Sequence, residues 1–151
     1  MKNKVSLHSA SKPGINTLDI NPNNNDLFVT GGNDHHVLVY DQEKSQIITS
    51  FTKHNKKINE VTFINDSQSL LVATASDDHV GYVFSIGESG EQDVKYSINC
   101  HKGAIYGIAN HPINYLQAYG SKDKTWSFHD IAKGKMVFRN EDFLNSELNF
   151  K

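Results

Sequence analysis

Three histidines, three aspartates and a scatter of hydroxyl side chains recur along this chain in a fixed order, and these are the residue types of acyl-transfer chemistry. His8 stands ahead of Asp34, His54 ahead of Asp78 and His101 ahead of Asp123, so the aspartates recur with a period of about 44 residues. A hydrolase needs one nucleophile beside one base beside one orienting acid. A single active site has no use for three copies of its base and acid. The nearest approach to a nucleophile elbow, Gly87-Glu88-Ser89-Gly90-Glu91, lacks the closing glycine. The residues therefore assign no catalytic role. A structural role suits the repetition better, since a carboxylate withdrawn from water needs donors.

The surroundings of each aspartate repeat as well. The stretch 31–41 (GGNDHHVLVYD) is matched by 75–85 (ASDDHVGYVFS) and by 120–130 (GSKDKTWSFHD). Inside each unit, short alternating or continuous apolar runs are bounded by Gly, Asn, Asp and Pro, a pattern of strands and turns. The expected strands are 15–20, 27–30, 37–40 and 47–51, then 58–63, 70–74, 81–84 and 94–98, then 105–109, 115–119, 125–128 and 135–138. No stretch of a dozen residues carries a helical apolar face. Four short strands in each unit of about 44 residues predict an all-β propeller of three antiparallel blades. Its units span about 8–51, 54–98 and 101–139, with 140–151 expected to begin a fourth unit and 5–7 to be the outer strand of another blade.

A histidine, then an aspartate followed six residues later by an aromatic–Asp pair, resembles the WD-repeat family of β-propellers. The aromatic position holds Tyr40, Phe84 and His129, where the family's commonest residue is Trp. The acid after it is Asp41 and Asp130 but Ser85 in the middle unit. The resemblance implies a hydrogen-bond network in each blade. A histidine on the loop entering the first strand bonds the turn aspartate, and a Ser or Thr of the second strand and the Trp of the third complete the set. By position the first unit offers His8, Thr30, Asp34 and Tyr40; the second His54, Ser76 or Thr74, Asp78 and Phe84; the third His101, Ser121, Asp123 and His129. Phe84 has no hydrogen to donate, so the middle network is expected to be shorter.

A narrower likeness within that family lies in 7–15 (LHSASKPGI), 18–22 (LDINP), 30–34 (TGGND) and 126–131 (WSFHDI) with Gly134-Lys135. These are similar to the opening blades of propellers carried by ubiquitin ligases of the splicing machinery. The likeness implies a protein-interaction scaffold with spliceosomal or ubiquitination partners and a nuclear location. A WD-repeat adaptor in signalling or trafficking is the alternative. Such ligases recruit the conjugating enzyme through a U-box and tetramerise through a coiled coil, and neither is present in this sequence. The likeness therefore implies the partner-binding end without the ubiquitin-transfer end.

Composition limits the remaining readings. The chain has 151 residues, 37% hydrophobic and 21% charged, which fits neither a disordered nor a membrane-embedded polymer. The longest aliphatic run, Leu70-Leu71-Val72-Ala73, falls far short of the ~18 apolar residues of a spanning helix. No apolar stretch follows Lys2 and Lys4, so a secretory signal is not expected. The single Cys100 excludes an internal disulfide and suits a reducing compartment. Metal binding would require three or four convergent ligands. His35-His36 is the sole adjacent histidine pair and lies far in sequence from Cys100-His101, so a solvated turn is expected, with no metal or cofactor. The basic stretch Lys53-His54-Asn55-Lys56-Lys57 could touch RNA. The net charge of -2 argues against binding through bulk charge, so a solvated loop is the preferred expectation. Asn65-Asp66-Ser67 matches a glycosylation acceptor by chance, and Asn21-Pro22-Asn23-Asn24-Asn25 reads as a turn. Three units fill the length, whereas a closed seven-bladed ring needs about 300 residues. An open arc leaves apolar faces and strand edges uncovered, so the chain is expected to self-associate or to need further blades.

Overall fold

The computed structural model describes residues 8–140. Its first antiparallel sheet runs in the order β1 (Ile15–Ile20), β2 (Leu27–Gly32), β3 (Val37–Asp41) and β4 (Gln46–Phe51). The second holds β5 (Ile58–Ile64), β6 (Leu70–Ser76), β7 (Gly81–Ile86) and β8 (Gln92–Ile98). The third holds β9 (Ile105–Asn110), β10 (Leu116–Ser121), β11 (Trp126–Asp130) and β12 (Lys135–Arg139). The fold is all-β, with no helix among the described residues. Each expected strand is present, most extended by one or two residues at an end, with β10 and β11 beginning one residue later than expected. The segments 5–7 and 141–151, assigned above to neighbouring units, lie outside the described residues.

Register puts the recurring residues at one end of every sheet. Ile15 pairs with Gly32, Gly31 with Val37, and Val37 with Phe51. The loop entering β1 and the β2–β3 turn therefore share an end, and the β1–β2 and β3–β4 turns occupy the other. The other two sheets repeat this arrangement. The turns at the histidine end are one structure built three times. His35, His79 and Lys124, each just after its aspartate, have φ of 71°, 73° and 71°. Their amides donate to Gly32, Ser76 and Ser121 carbonyls respectively.

The first strands β1, β5 and β9 lie side by side and hold the sheets in a common orientation. Asn16 Nδ2 donates to the Ile58 carbonyl and Asn59 Nδ2 to the Ile105 carbonyl, each at 2.9 Å. Further along, the Val61 amide donates to Thr17 Oγ1 at 3.2 Å and the Phe63 amide to Asp19 Oδ2 at 2.8 Å. The Ile108 amide reaches Glu60 Oε2 at 2.6 Å. Burial raises the Glu60 pKa, with the Ile108 amide opposing it. Start meets start and end meets end, so all three histidine ends form one continuous face.

Two apolar layers fill the spaces between sheets. Val29, Val39 and Phe51 pack with Ile58, Phe63, Val72 and Phe84 between the first and second. Leu71, Ala73, Ala75 and Val83 pack with Ile98, Ile105 and Tyr119 between the second and third. Burying each large aliphatic side chain contributes about 1.5–3 kcal/mol. The middle sheet is covered on both sides, which is why β6 reads as a continuous apolar run, whereas β1 alternates. The outer sheets show uncovered apolar side chains instead: Leu18 and Ile20 on the first, and Trp126, Met136 and Phe138 on the third.

Candidate functional site

Each unit places its histidine between the turn aspartate and a hydroxyl. In the first blade His8 Nδ1 lies 2.8 Å from Asp34 Oδ1, and His8 Nε2 lies 2.9 Å from Thr30 Oγ1. In the second, His54 Nδ1 is 2.8 Å from Asp78 Oδ2 and Nε2 is 2.7 Å from Thr74 Oγ1. A carboxylate only accepts, so Nδ1 carries the proton and donates, leaving Nε2 to accept from the threonine hydroxyl. The aspartates also gather backbone amides: Ser9 and His36 on Asp34, Asn55 and Val80 on Asp78. Each set therefore clasps the entering loop to the turn of its own blade.

The carboxylates register this environment. Burial alone would raise the Asp34 pKa, but the Ser9 amide, the His8 ring and the His36 amide together hold it below the ordinary value. For Asp78, burial is likewise outweighed, first by the His54 hydrogen bond and charge. Asp123 is held lowest, since the Thr125 hydroxyl and the Lys102 and Thr125 amides overcome its desolvation, with help from His101. All three are anions at neutral pH with their donors supplied.

The third blade is built differently. Thr30 and Thr74 each stand four residues before their aspartate, and the equivalent position before Asp123 is Tyr119. With no hydroxyl there to meet the histidine, the bonds move to β11. His101 Nδ1 approaches Thr125 Oγ1 at 3.0 Å and Asp123 Oδ2 at 3.4 Å, and Nε2 lies 2.8 Å from Ser127 Oγ. Ser127 Oγ is also 2.7 Å from His129 Nε2, and His129 Nδ1 is 2.9 Å from the Tyr96 hydroxyl on β8 of the second blade. One proton arrangement satisfies every link. Tyr96 donates to His129, His129 to Ser127, Ser127 to His101, His101 to Thr125, and Thr125 to Asp123. Burial keeps the Tyr96 hydroxyl protonated and lowers the pKa of both histidines, that of His129 to about 4. Tyr119, fully buried, sets its ring edge-on to His129 and donates its hydroxyl to Gln117 Oε1 at 2.9 Å.

Three positions, Tyr40, Ser76 and Ser121, differ from those expected by resemblance. Tyr40 is not in the first clasp: it pairs across the sheet with Phe28 and packs its ring there, two residues beyond Leu38, which faces Thr30. Ser76 does not meet His54; it donates to the Lys56 and Lys57 carbonyls and accepts the Asp78 amide. Ser121 does the same work with the Gly103 carbonyl and the Asp123 amide. These two serines sit at the strand end beside the turn, too far along β6 and β10 to face the ring. Phe84 stacks flat on Phe51 with centroids 4.1 Å apart, and the middle clasp ends at Thr74. Thr125, Ser127 and Tyr96 were not among the expected members. The loss of the threonine series at Tyr119 was the available signal.

A serine, a histidine and an aspartate do meet in the third blade, but Ser127 is 0% exposed and spends its oxygen between two imidazoles. Thr30 and Thr74 are also buried. No substrate reaches these hydroxyls, so the arrangement fixes loops. His35 and His36 stand beside Asp34 on the turn. Among the described residues no group of three or more His, Cys, Asp or Glu is placed to hold a metal ion. No described helix is long and apolar enough to cross a membrane.

What the clasps position is the loop face: the entering loops and the β2–β3, β6–β7 and β10–β11 turns. Comparisons with known proteins agree with this organisation. The family model "WD domain, G-beta repeat" matches residues 2–41 and 45–85. The third sheet lies beyond that match, and it is the blade in which Tyr119 stands where the first two have threonine. Pre-mRNA-processing factor 19 homolog 2 of Arabidopsis thaliana is 33% identical over 136 residues, covering 90% of this chain and 25% of its own. Pre-mRNA-processing factor 19 of Bos taurus is 34% identical over 138 residues, covering 91% and 26%. That of Caenorhabditis elegans is 36% identical over 131 residues, covering 87% and 25%. The chain thus spans about a quarter of the length of the curated relatives it matches. With the recurring clasps, the four-stranded sheets and the family match in agreement, the chain belongs to the WD domain, G-beta repeat family.

Proposed function

We propose that this chain is a partner-binding propeller segment of a pre-mRNA splicing factor of the processing factor 19 type, acting in the nucleus beside ubiquitin-ligase machinery. The observation that carries this reading is similarity across all three blades to proteins named for pre-mRNA processing. The architecture supports it: rigid blades with clasped loops offer a fixed surface, and function in such a scaffold lies in loop side chains. Ubiquitin transfer itself belongs to other segments of such a factor, and the buried hydroxyls of this one have no reactive role. The uncovered faces around Leu18 and Trp126 are covered in the working protein by further blades or by self-association.

The test is affinity purification of the tagged chain from nuclear extract, with size exclusion of the purified chain alongside. Splicing proteins are expected to co-purify, and the chain alone is expected to elute larger than a monomer. Partners confined to trafficking or signalling complexes would contradict the splicing assignment. Sharp monomeric elution with a cooperative melt would contradict the covering of the outer faces.

A further inference from the structure

The net charge of -2 conceals a division between the two ends of the blades. On the histidine end, the loop entering β1 carries Lys12, and the loop entering β5 carries Lys53, Lys56 and Lys57. The loop entering β9 carries Lys102, and the β10–β11 turn carries Lys122 and Lys124. Every one of these lysines is exposed. Among the described residues, the carboxylates at this end do not balance them at the surface. Asp34, Asp78 and Asp123 point their oxygens into the clasps, and Asp77 is shared between Lys57, at 3.7 Å, and Asn59. At the opposite end the turns bear Asp26, Glu43, Asp66, Glu88 and Glu91 against Lys44 and Lys133.

The three turns add a second observation. Each uses the left-handed conformation just after its aspartate, where glycine would be free of strain, and each places a basic or protonatable side chain there instead: His35, His79 and Lys124. The near-identical φ values present these side chains at equivalent places on successive blades. The stretch 53–57 looked like an isolated solvated loop in the sequence, and the fold joins it to lysines from the neighbouring blades.

We propose that this face docks an acidic segment of a partner protein, an extended peptide rich in aspartate, glutamate or phosphorylated residues, lying across the three blades. This rests on the reading of the chain as a partner-binding propeller and names the surface and the chemistry. Charge complementarity selects an anionic ligand. Among the described residues the loops of the face contain no Phe, Tyr or Trp, and the exposed Tyr106 and Trp126 belong to strands β9 and β11, so the loops themselves lack the stacking platforms on which single-stranded RNA is held. Lysine supplies point charge suited to carboxylate or phosphate without base readout.

The experiment uses the full chain, a fluorescein-labelled glutamate-rich peptide and a labelled uridine oligomer of matched charge, read by anisotropy over a salt series. The peptide is expected to bind at low salt and to weaken steeply as salt rises. The triple variant Lys56→Glu/Lys122→Glu/Lys124→Glu should lose about tenfold or more in affinity, and Lys133→Glu/Lys135→Glu at the other end should bind as the parent does. His79→Gly relaxes its turn, so it should weaken binding without lowering the melting temperature. No binding at low salt, equal binding by the triple variant, or tighter binding of the uridine oligomer than of the peptide would overturn the proposal. Splicing proteins that still co-purify with the triple variant would also overturn it, while leaving the splicing assignment standing.

Discussion

Asp78→Ala is expected to destabilise the chain by about 3 kcal/mol. The Asp78 carboxylate accepts from three donors, His54 Nδ1 and the Asn55 and Val80 amides. The His54 side chain is 0% exposed, so its Nδ1–H has no route to water once the acceptor is gone. Leaving one such donor unsatisfied costs ~1–3 kcal/mol, and the Asn55 and Val80 amides lose the same acceptor. For a chain of this size that lowers the melting midpoint by roughly 6–12 °C. Asp93→Ala is the control: that carboxylate is well exposed beside Lys95 and should cost under ~0.5 kcal/mol. In the double variant His54→Ala/Asp78→Ala the losses should sum to less than the two singles, because each removes the same contact. Thermal melts followed by circular dichroism give all four values, and a midpoint unmoved in Asp78→Ala would contradict the clasp.

The second large effect is a loss of stability on mild acidification. Unfolded, each imidazole takes up a proton as pH falls through its ordinary 6.5, whereas folded His129 resists protonation until about 4. Between those values the unfolded chain binds more protons than the folded one, so stability falls with pH across that window. His101, lowered by burial against the opposing pull of Asp123, adds in the same direction. The groups facing the pair are Asp123, Arg139, Tyr96 and Tyr119, and the three neutral or cationic members offer no anion to stabilise a second charge. His129 alone contributes at most about 3 kcal/mol over the window. A separate loss follows below about 3.8, where the aspartates of the unfolded chain take up protons and those of the folded clasps, held lower, do not. Urea titrations at stepped pH should show a steady decline from 6.5 to 4. His129→Gln keeps a donor for Ser127 and an acceptor for Tyr96 but does not titrate, so its decline should be shallower. Identical pH profiles for the two proteins would contradict the buried relay.

The strand pattern and the histidine–aspartate pairs of the first two blades were legible in the sequence because both residues recur in register, but Ser76, offered beside Thr74, and Tyr40 stand outside the clasps. The third blade escaped that reading for a steric reason. Tyr119 fills the threonine's place, so the bonding partner is recruited from β11, and only a three-dimensional neighbour relation connects Ser127 with His101. Tyr96 was beyond reach for the same reason, since it crosses from one blade to the next. The expectation for Ser121 failed because proximity in sequence to Asp123 reflects turn capping, not contact with the ring. Lys56 and Lys124 show the complementary limit: each is an ordinary exposed lysine in sequence, and only blade orientation places both on one face.

The central claim is that each histidine–aspartate set holds the loops of its own blade, and hydrogen exchange resolved by segment tests it most directly. Ser9, Asn55 and Lys102 amides each donate to a clasp carboxylate, so the three entering loops should exchange slowly for surface segments. In Asp78→Ala, protection should be lost over 52–57 and 77–80 while the loops around Ser9 and Lys102 keep theirs. Rapid exchange of all three loops in the parent, or a loss spread equally over the three blades, would contradict it.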